Sequence, residues 1–350
     1  MSLLATVFYL VVAGRTEPPS REQAIDAVIE NFMARHRISG AVVVYGTRGL
    51  PEVEKAYGVA AGSNPPPLGH DHIFRLASLS KPVTAAAVLA LIDSGNLKLE
   101  TRLSDLFPMV AKAADPRLPK ITVRNLLQHR GGWDFQQTFD PFFLDRTTAE
   151  EWLGPIPALQ DCRPVAIAML KHELQFSPGE RYAYSNLGYC WLGLIIEQVT
   201  GEPYERAVHD LVRTRQAGLS LSPGNMSIDE ILDLNKTFPL LVPQIVGPAG
   251  GWQGRARDFF AFASDSIDSR VLKTPTGEEH ADYYGLGWRV FPEDGPLLTH
   301  YGAMPGVFTL VLRDMRGRVL VALFNGRPAD DWPAFLQLKQ AFVDATDLGN

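Results

Sequence analysis

From Ser20 to Arg37 apolar residues recur every three to four positions, with Ala27, Ile29, Phe32 and Met33 on one side of a helical projection. That period predicts an amphipathic helix, and Ser20 with Gln23 supplies a capping box at its start. After Gly40 the pattern changes to a continuous run, Ala41-Val42-Val43-Val44-Tyr45, which reads as a strand. Thr47-Arg48-Gly49-Leu50-Pro51 is a turn into a second strand, and Asn64-Pro65-Pro66-Pro67 is a loop. A short apolar stretch, Ile73-Phe74-Arg75-Leu76, precedes a helix that starts at Ser78 and stops at Gly95. Pro82 falls within its first turn, where a missing N–H matters little.

Thr122 caps a short helix that ends at Gly131-Gly132. From 133 to about 175 the spacing is irregular, with a helical patch over 165–174. Phe176-Ser177-Pro178-Gly179-Glu180 is a turn, and Tyr182-Ala183-Tyr184-Ser185-Asn186 leads into a strongly apolar helix stopped by Gly201. Glu202-Pro203-Tyr204 opens another helix. The C-terminal third changes character. Residues 284–290, 296–300, 308–312 and 319–324 are short strand-like runs separated by Gly, Pro and Asp, which indicates an antiparallel meander. A last helix runs from about Asp331 to Asp344. Strands towards both chain ends with helices between predict the α/β (α+β) class, an antiparallel β-sheet flanked by helices with a mainly α-helical insert. The sheet layer is expected from 20–110 plus 255–350 and the insert from 111–254, with 1–14 a separate apolar segment.

At 350 residues, 46% apolar and 21% charged, the chain has the composition of an ordinary globular protein. A net charge of −6 with no Lys/Arg run argues against a nucleic-acid partner. Cys162 and Cys190 make no disulfide framework, and Cys190, inside an apolar helix, is expected simply to pack there. His70-Asp71-His72 lacks a third clustered ligand, so no metal site is expected. The apolar run 3–13 is too short to cross a bilayer as a helix. Read as the core of a secretory signal it implies export, although no Lys or Arg precedes it. Read as a first strand or docked tail it implies a cytoplasmic protein.

The chemistry starts at Ser78-Leu79-Ser80-Lys81. Residues three apart share a helix face, so Ser78 Oγ and Lys81 Nζ can meet as nucleophile and base. The competing reading makes Ser78 a helix cap and Lys81 a solvated side chain. Two later segments change the balance. Tyr184-Ser185-Asn186 stands after a Pro-Gly turn and before an apolar helix, and His300-Tyr301-Gly302 stands on a strand.

With these three segments in order, the chain resembles the serine β-lactamase and penicillin-recognising hydrolase superfamily, on its class C β-lactamase and esterase side. Leu126-Leu127-Gln128-His129-Arg130-Gly131-Gly132, Ala249-Gly250-Gly251-Trp252 and Asn325 are similar to accessory family signatures. The resemblance covers roughly 25–345. It implies that Ser78 is the nucleophile and that Lys81 and Tyr184 act as a unit, either being the base. It implies an oxyanion hole at the Ser78 and Ala303 N–H groups, and a substrate carbonyl or amide held by Asn186. Gly302 would let a substrate approach the strand closely. Tyr184 would ionise more easily beside a Lys81 cation. His129 is expected to be structural, away from the nucleophile.

Two departures bear on substrate. His300 stands where β-lactamases carry a lysine, and a neutral imidazole attracts a carboxylate far less. Ala217-Gly218-Leu219-Ser220 stands where relatives often carry Pro-Leu-Gly-Met. The expected activity is therefore acyl-enzyme hydrolysis of small esters, amides or peptides, as in carboxylesterases or D-aminopeptidases. A β-lactamase or D-Ala-D-Ala carboxypeptidase, and an idle relative that only binds, are the alternatives. No cofactor is called for, and no stable membrane span.

Overall fold

The structure, a computed structural model, describes residues 19–60, 62, 64–135, 137, 140–153, 159–214, 217–221, 238–265, 269–275 and 282–349. The apolar segment 1–14 lies outside the described residues, as does part of 216–223.

Nine strands form among the described residues, in chain order β1 (Gly40–Thr47), β2 (Leu50–Gly58), β3 (Phe74–Arg75), β4 (Gln253–Gly254), β5 (Tyr283–Tyr284), β6 (Arg289–Phe291), β7 (Leu297–Met304), β8 (Val307–Arg313) and β9 (Arg318–Phe324). Seven make one antiparallel sheet in the order β2-β1-β9-β8-β7-β6-β5, and β3 pairs with β4 separately. The long helices are α1 (Arg21–His36), α2 (Ser80–Asp93), α3 (Asn186–Thr200), α4 (Ala256–Ser264) and α5 (Asp331–Thr346).

The central strands look continuously apolar because both sheet faces are covered. Val42, Val44, Val321 and Leu323 point into the core shared with α2, α3 and α4. Ala41, Val43, Ala322 and Phe324 point the other way, against Ile25, Ile29 and Phe32 of α1 and Phe335 and Phe342 of α5. The inward stripe of α1 thus runs through Ile25, not Ala27, which is exposed. The capping box at Ser20 forms as expected.

The run 284–290 is not one strand but the β5–β6 hairpin, turned at Gly287 with φ of 90°. A positive φ at a glycine lets the chain reverse inside an apolar stretch. Ser78 does not begin the helix. It sits in a 3-10 turn, Ala77–Leu79, and α2 starts at Ser80. Cys190 does not merely pack, because it forms a disulfide with Cys162 that ties α3 to the helix Arg163–Ala168. Among the described residues no helix is long and apolar enough to cross a membrane.

The sheet register prepares the site. β6 pairs with β7 only from Leu297 to Thr299. From His300 to Met304 that edge of β7 has no neighbouring strand among the described residues, while its other edge pairs with β8 through Met304. The turn carrying Ser78 fills the space beside the free edge.

Candidate active site

The Leu76–Ser78 segment is clamped from several sides. Leu76 N–H donates to Trp252 O at 2.8 Å, and Thr309 Oγ1 on β8 donates to Leu76 O at 2.9 Å. Trp252 N–H donates to Ser80 Oγ at 3.0 Å. Ala77, fully buried, is held at φ of +48°, a strained value for a residue with a Cβ. The clamp aims Ser78, partly exposed, into a cavity of about 640 Å³.

Gly302 explains how strand and turn come so close. A Cβ there would lie 2.7 Å from Ser78 N, 2.7 Å from Leu76 O and 2.5 Å from Thr309 Oγ1. The close neighbour that demands glycine is the protein's own Leu76–Ser78 turn. Gly302→Ala is expected to push β7 off the turn and destabilise the fold by about 1–3 kcal/mol, which thermal unfolding would measure.

Ser78 Oγ is held between two groups. Tyr184 O–H donates to it at 2.6 Å, and Lys81 Nζ lies 3.2 Å away. Lys81 is fully buried. Its Nζ also donates to Asn186 Oδ1 at 2.6 Å and to Ala249 O at 2.7 Å. Ala249 is presented by a π-helical turn, Gly247–Gly251. Burial pulls the ammonium down to about 7, against a small opposing pull from the Asp140 carboxylate. A neutral amine has two N–H bonds, enough for Asn186 and Ala249, which leaves its lone pair for the Ser78 hydroxyl.

Burial also moves Tyr184, but upward, well above an ordinary phenol, with the Ser78 hydrogen bond opposing. The net shift is thus opposite to the lowering expected from a Lys81 cation, because burial dominates. Lys81 Nζ stands over the ring face, 4.6 Å from the centroid, and its hydrogen bonds go to Ser78, Asn186 and Ala249 rather than to the phenol oxygen.

The Asn186 amide is engaged within the protein at both ends. Its Oδ1 is taken by Lys81, and its Nδ2 donates to Asp140 Oδ2 at 2.5 Å. Ser185 caps α3, its hydroxyl accepting from Gly188 N–H. His129, expected to lie away, packs 4.4 Å from the Tyr184 ring, and its Nδ1 accepts the Ser185 N–H at 3.1 Å. It therefore supports the Tyr-x-Asn segment from behind. Asn325 is structural, since Oδ1 accepts from Gly40 N–H and Nδ2 donates to Val59 O.

His300 lines the cavity with both nitrogens occupied. Nδ1 is 2.9 Å from Tyr301 O, which can only accept, so Nδ1 carries the hydrogen. Nε2 then accepts the Tyr284 hydroxyl at 2.8 Å. Burial and the nearby Lys81 depress its pKa to about 3, so the ring is uncharged near neutrality. Asp140, Thr309 and Tyr284 were not anticipated. Each makes its contact across the fold, and no local motif marks it.

A family model described as beta-lactamase matches residues 25–338. The chain belongs to the beta-lactamase family. Among the relatives of this beta-lactamase-family chain, the probable fimbrial assembly protein FimD, serogroup H1, of Dichelobacter nodosus is 31% identical over 268 residues. That match covers 71% of this chain and 64% of FimD. Esterase EstB of Burkholderia gladioli is 31% identical over 194 residues, 54% of this chain and 48% of EstB. The chain thus spans less than two thirds of FimD and about half of EstB. Among solved structures, EstCE1, described as a hydrolase with promiscuous acyltransferase activity, superposes with a TM-score of 0.73 at 17% identity. That superposition covers 93% of this chain and 98% of EstCE1. The D-amino acid amidase of Ochrobactrum anthropi SV3 gives 0.71 at 21% identity, over 94% and 99%. These two likenesses are of fold.

Proposed function

We propose that this chain is a serine hydrolase that forms an acyl-enzyme on small esters or amides, with Ser78 as nucleophile. The observation that carries the reading is Ser78 Oγ hydrogen-bonded between Tyr184 and a buried Lys81 whose pKa lies near 7. Neutral Lys81 takes the Ser78 proton as Oγ attacks the carbonyl carbon. The Tyr184 hydroxyl protonates the departing alkoxide or amine. Its phenolate then exists only beside the newly charged Lys81, which stabilises it across the ring face. In deacylation the phenolate takes a proton from water, the hydroxide attacks the acyl carbon, and Ser78 recovers its proton from Lys81. The balance is one ester and one water in, one acid and one alcohol out.

The developing oxyanion would be held by the N–H groups of Ser78 and Ala303, the latter on the free edge of β7. Each such donor typically stabilises the transition state by about 3–4 kcal/mol. The Gly302 contact supports this, because it brings strand and turn backbones together.

An uncharged His300 favours neutral esters and amides over carboxylate-bearing β-lactams. His300→Lys is expected to raise the activity ratio of a chromogenic cephalosporin to a p-nitrophenyl ester; an unchanged ratio refutes the charge argument. Incubation with a fluorophosphonate followed by mass spectrometry tests the whole reading. The expected result is one adduct, on Ser78, and labelling elsewhere or none would overturn it. An idle binding role is disfavoured because a lysine held at a pKa near 7 beside a serine and a tyrosine is what proton transfer needs and simple binding does not.

A further inference from the structure

We infer that Asp140 is a positioning residue for the Ser78–Lys81 pair, acting through the Asn186 amide. This rests on the hydrolase reading above.

The geometry is a chain of directed hydrogen bonds. Asp140 Oδ1 accepts from Phe142 N–H at 3.0 Å, which anchors the carboxylate at the start of a 3-10 turn, Pro141–Phe143. Its Oδ2 accepts from Asn186 Nδ2 at 2.5 Å. A carboxylate can only accept, so it fixes which end of the Asn186 amide faces it. Oδ1 is thereby turned toward Lys81 Nζ, 2.6 Å away. The two other close polar atoms at Nζ are Ala249 O and Ser78 Oγ. With two acceptors fixed, the third direction of Nζ is left for the nucleophile. A flipped amide would point its N–H groups at Nζ and compete for the same lone pair.

Asp140 contributes charge as well as direction. The ionisable groups around Lys81 are Tyr184 and Tyr189 under Nζ, His129 and His300 behind it, and Asp140. Burial holds both tyrosines protonated and both histidines neutral near pH 7. Among these described groups, Asp140 is the anion whose field favours the Lys81 ammonium. Burial raises its own pKa, with Phe142 N–H, Asn186 and Lys81 all opposing.

Asp140→Asn decides the matter because both possible arrangements of the new amide act in the same direction. If the new side chain presents its oxygen to Asn186, only the charge is lost. If it presents its N–H, Asn186 flips and donates to Lys81. Either change favours the neutral amine, so the proton leaves Lys81 at lower pH. In wild type the acidic limb of kcat/KM for a neutral ester is expected near pH 7, the value about which Lys81 titrates. In Asp140→Asn it should move to lower pH by roughly 0.5–1 unit. Asp140→Glu, which keeps the charge, should stay near the wild-type position. Should Asp140→Asn not accumulate as folded protein, Asp140→Ser removes the same charge and carries the same test. A limb that does not move in the folded, uncharged variant overturns the inference. Failure of the hydrolase reading is distinguishable, since wild type would then hydrolyse no ester and leave no mass on Ser78.

Discussion

Ser78→Ala should bring hydrolysis of a p-nitrophenyl acyl ester down to the background rate, a loss of roughly 10⁴- to 10⁶-fold. The expectation follows from position more than from residue type. Ser78 stands at the end of a turn clamped by Trp252 and Thr309, and its Oγ is the atom on which Tyr184 and Lys81 converge. Without Oγ those two groups have nothing to activate, and hydroxide in the cavity would have to attack unaided. The fold should survive, because Ser78 is partly exposed and loses one hydrogen bond to each neighbour, within about 1–2 kcal/mol. Circular dichroism and thermal unfolding would confirm that the variant is folded. Full activity in such a protein would move the nucleophile elsewhere and end the mechanism.

The parts of this site that could be read in advance are those in which local sequence carries the chemistry. Ser78 and Lys81 are about one helical turn apart, and the Tyr184 segment is marked by the turn before it and the apolar helix after it. β8 and β9 were legible because strands covered on both faces carry long apolar runs, here 310–312 and 319–324. What escaped was set by partners distant in sequence. Asp140 matters because Asn186, 46 residues on, returns to it. The disulfide joins cysteines 28 residues apart, and only the packing of two helices brings them together. The direction of the Tyr184 shift is set by distant residues in the same way. Proximity to Lys81 was foreseeable, but burial, the larger effect, depends on the whole cavity wall. The need for glycine at 302 comes from the Leu76–Ser78 backbone, far earlier in the chain.

Lys81→Met should separate activity from stability. Ester hydrolysis is expected to fall by roughly 10³- to 10⁵-fold, because the proposed base is removed while the cavity keeps its shape. Stability should not follow activity, and its change should depend on pH. The folded protein holds Lys81 at a pKa of about 7 against 10.5 when unfolded. That fall amounts to about 5 kcal/mol, taking about 1.4 kcal/mol per pH unit. The sign is fixed by proton uptake. Between pH 7 and 10.5 the unfolded chain binds the proton that the folded chain has released, so wild-type stability rises with pH across that window. The penalty is fully present below about pH 7 and has vanished above 10.5. Methionine removes it but leaves Asn186 Oδ1 and Ala249 O without their donor, at about 1–3 kcal/mol each. At neutral pH the two effects nearly offset, and the variant should be as stable as wild type or somewhat more so. By about pH 10 little but the lost hydrogen bonds remains, and wild type should be the more stable by a few kcal/mol. Urea unfolding of both proteins at about pH 7 and about pH 10 measures the difference. A constant gap between them would mean that Lys81 is charged in the folded state throughout, and a permanently charged Lys81 could not serve as the base.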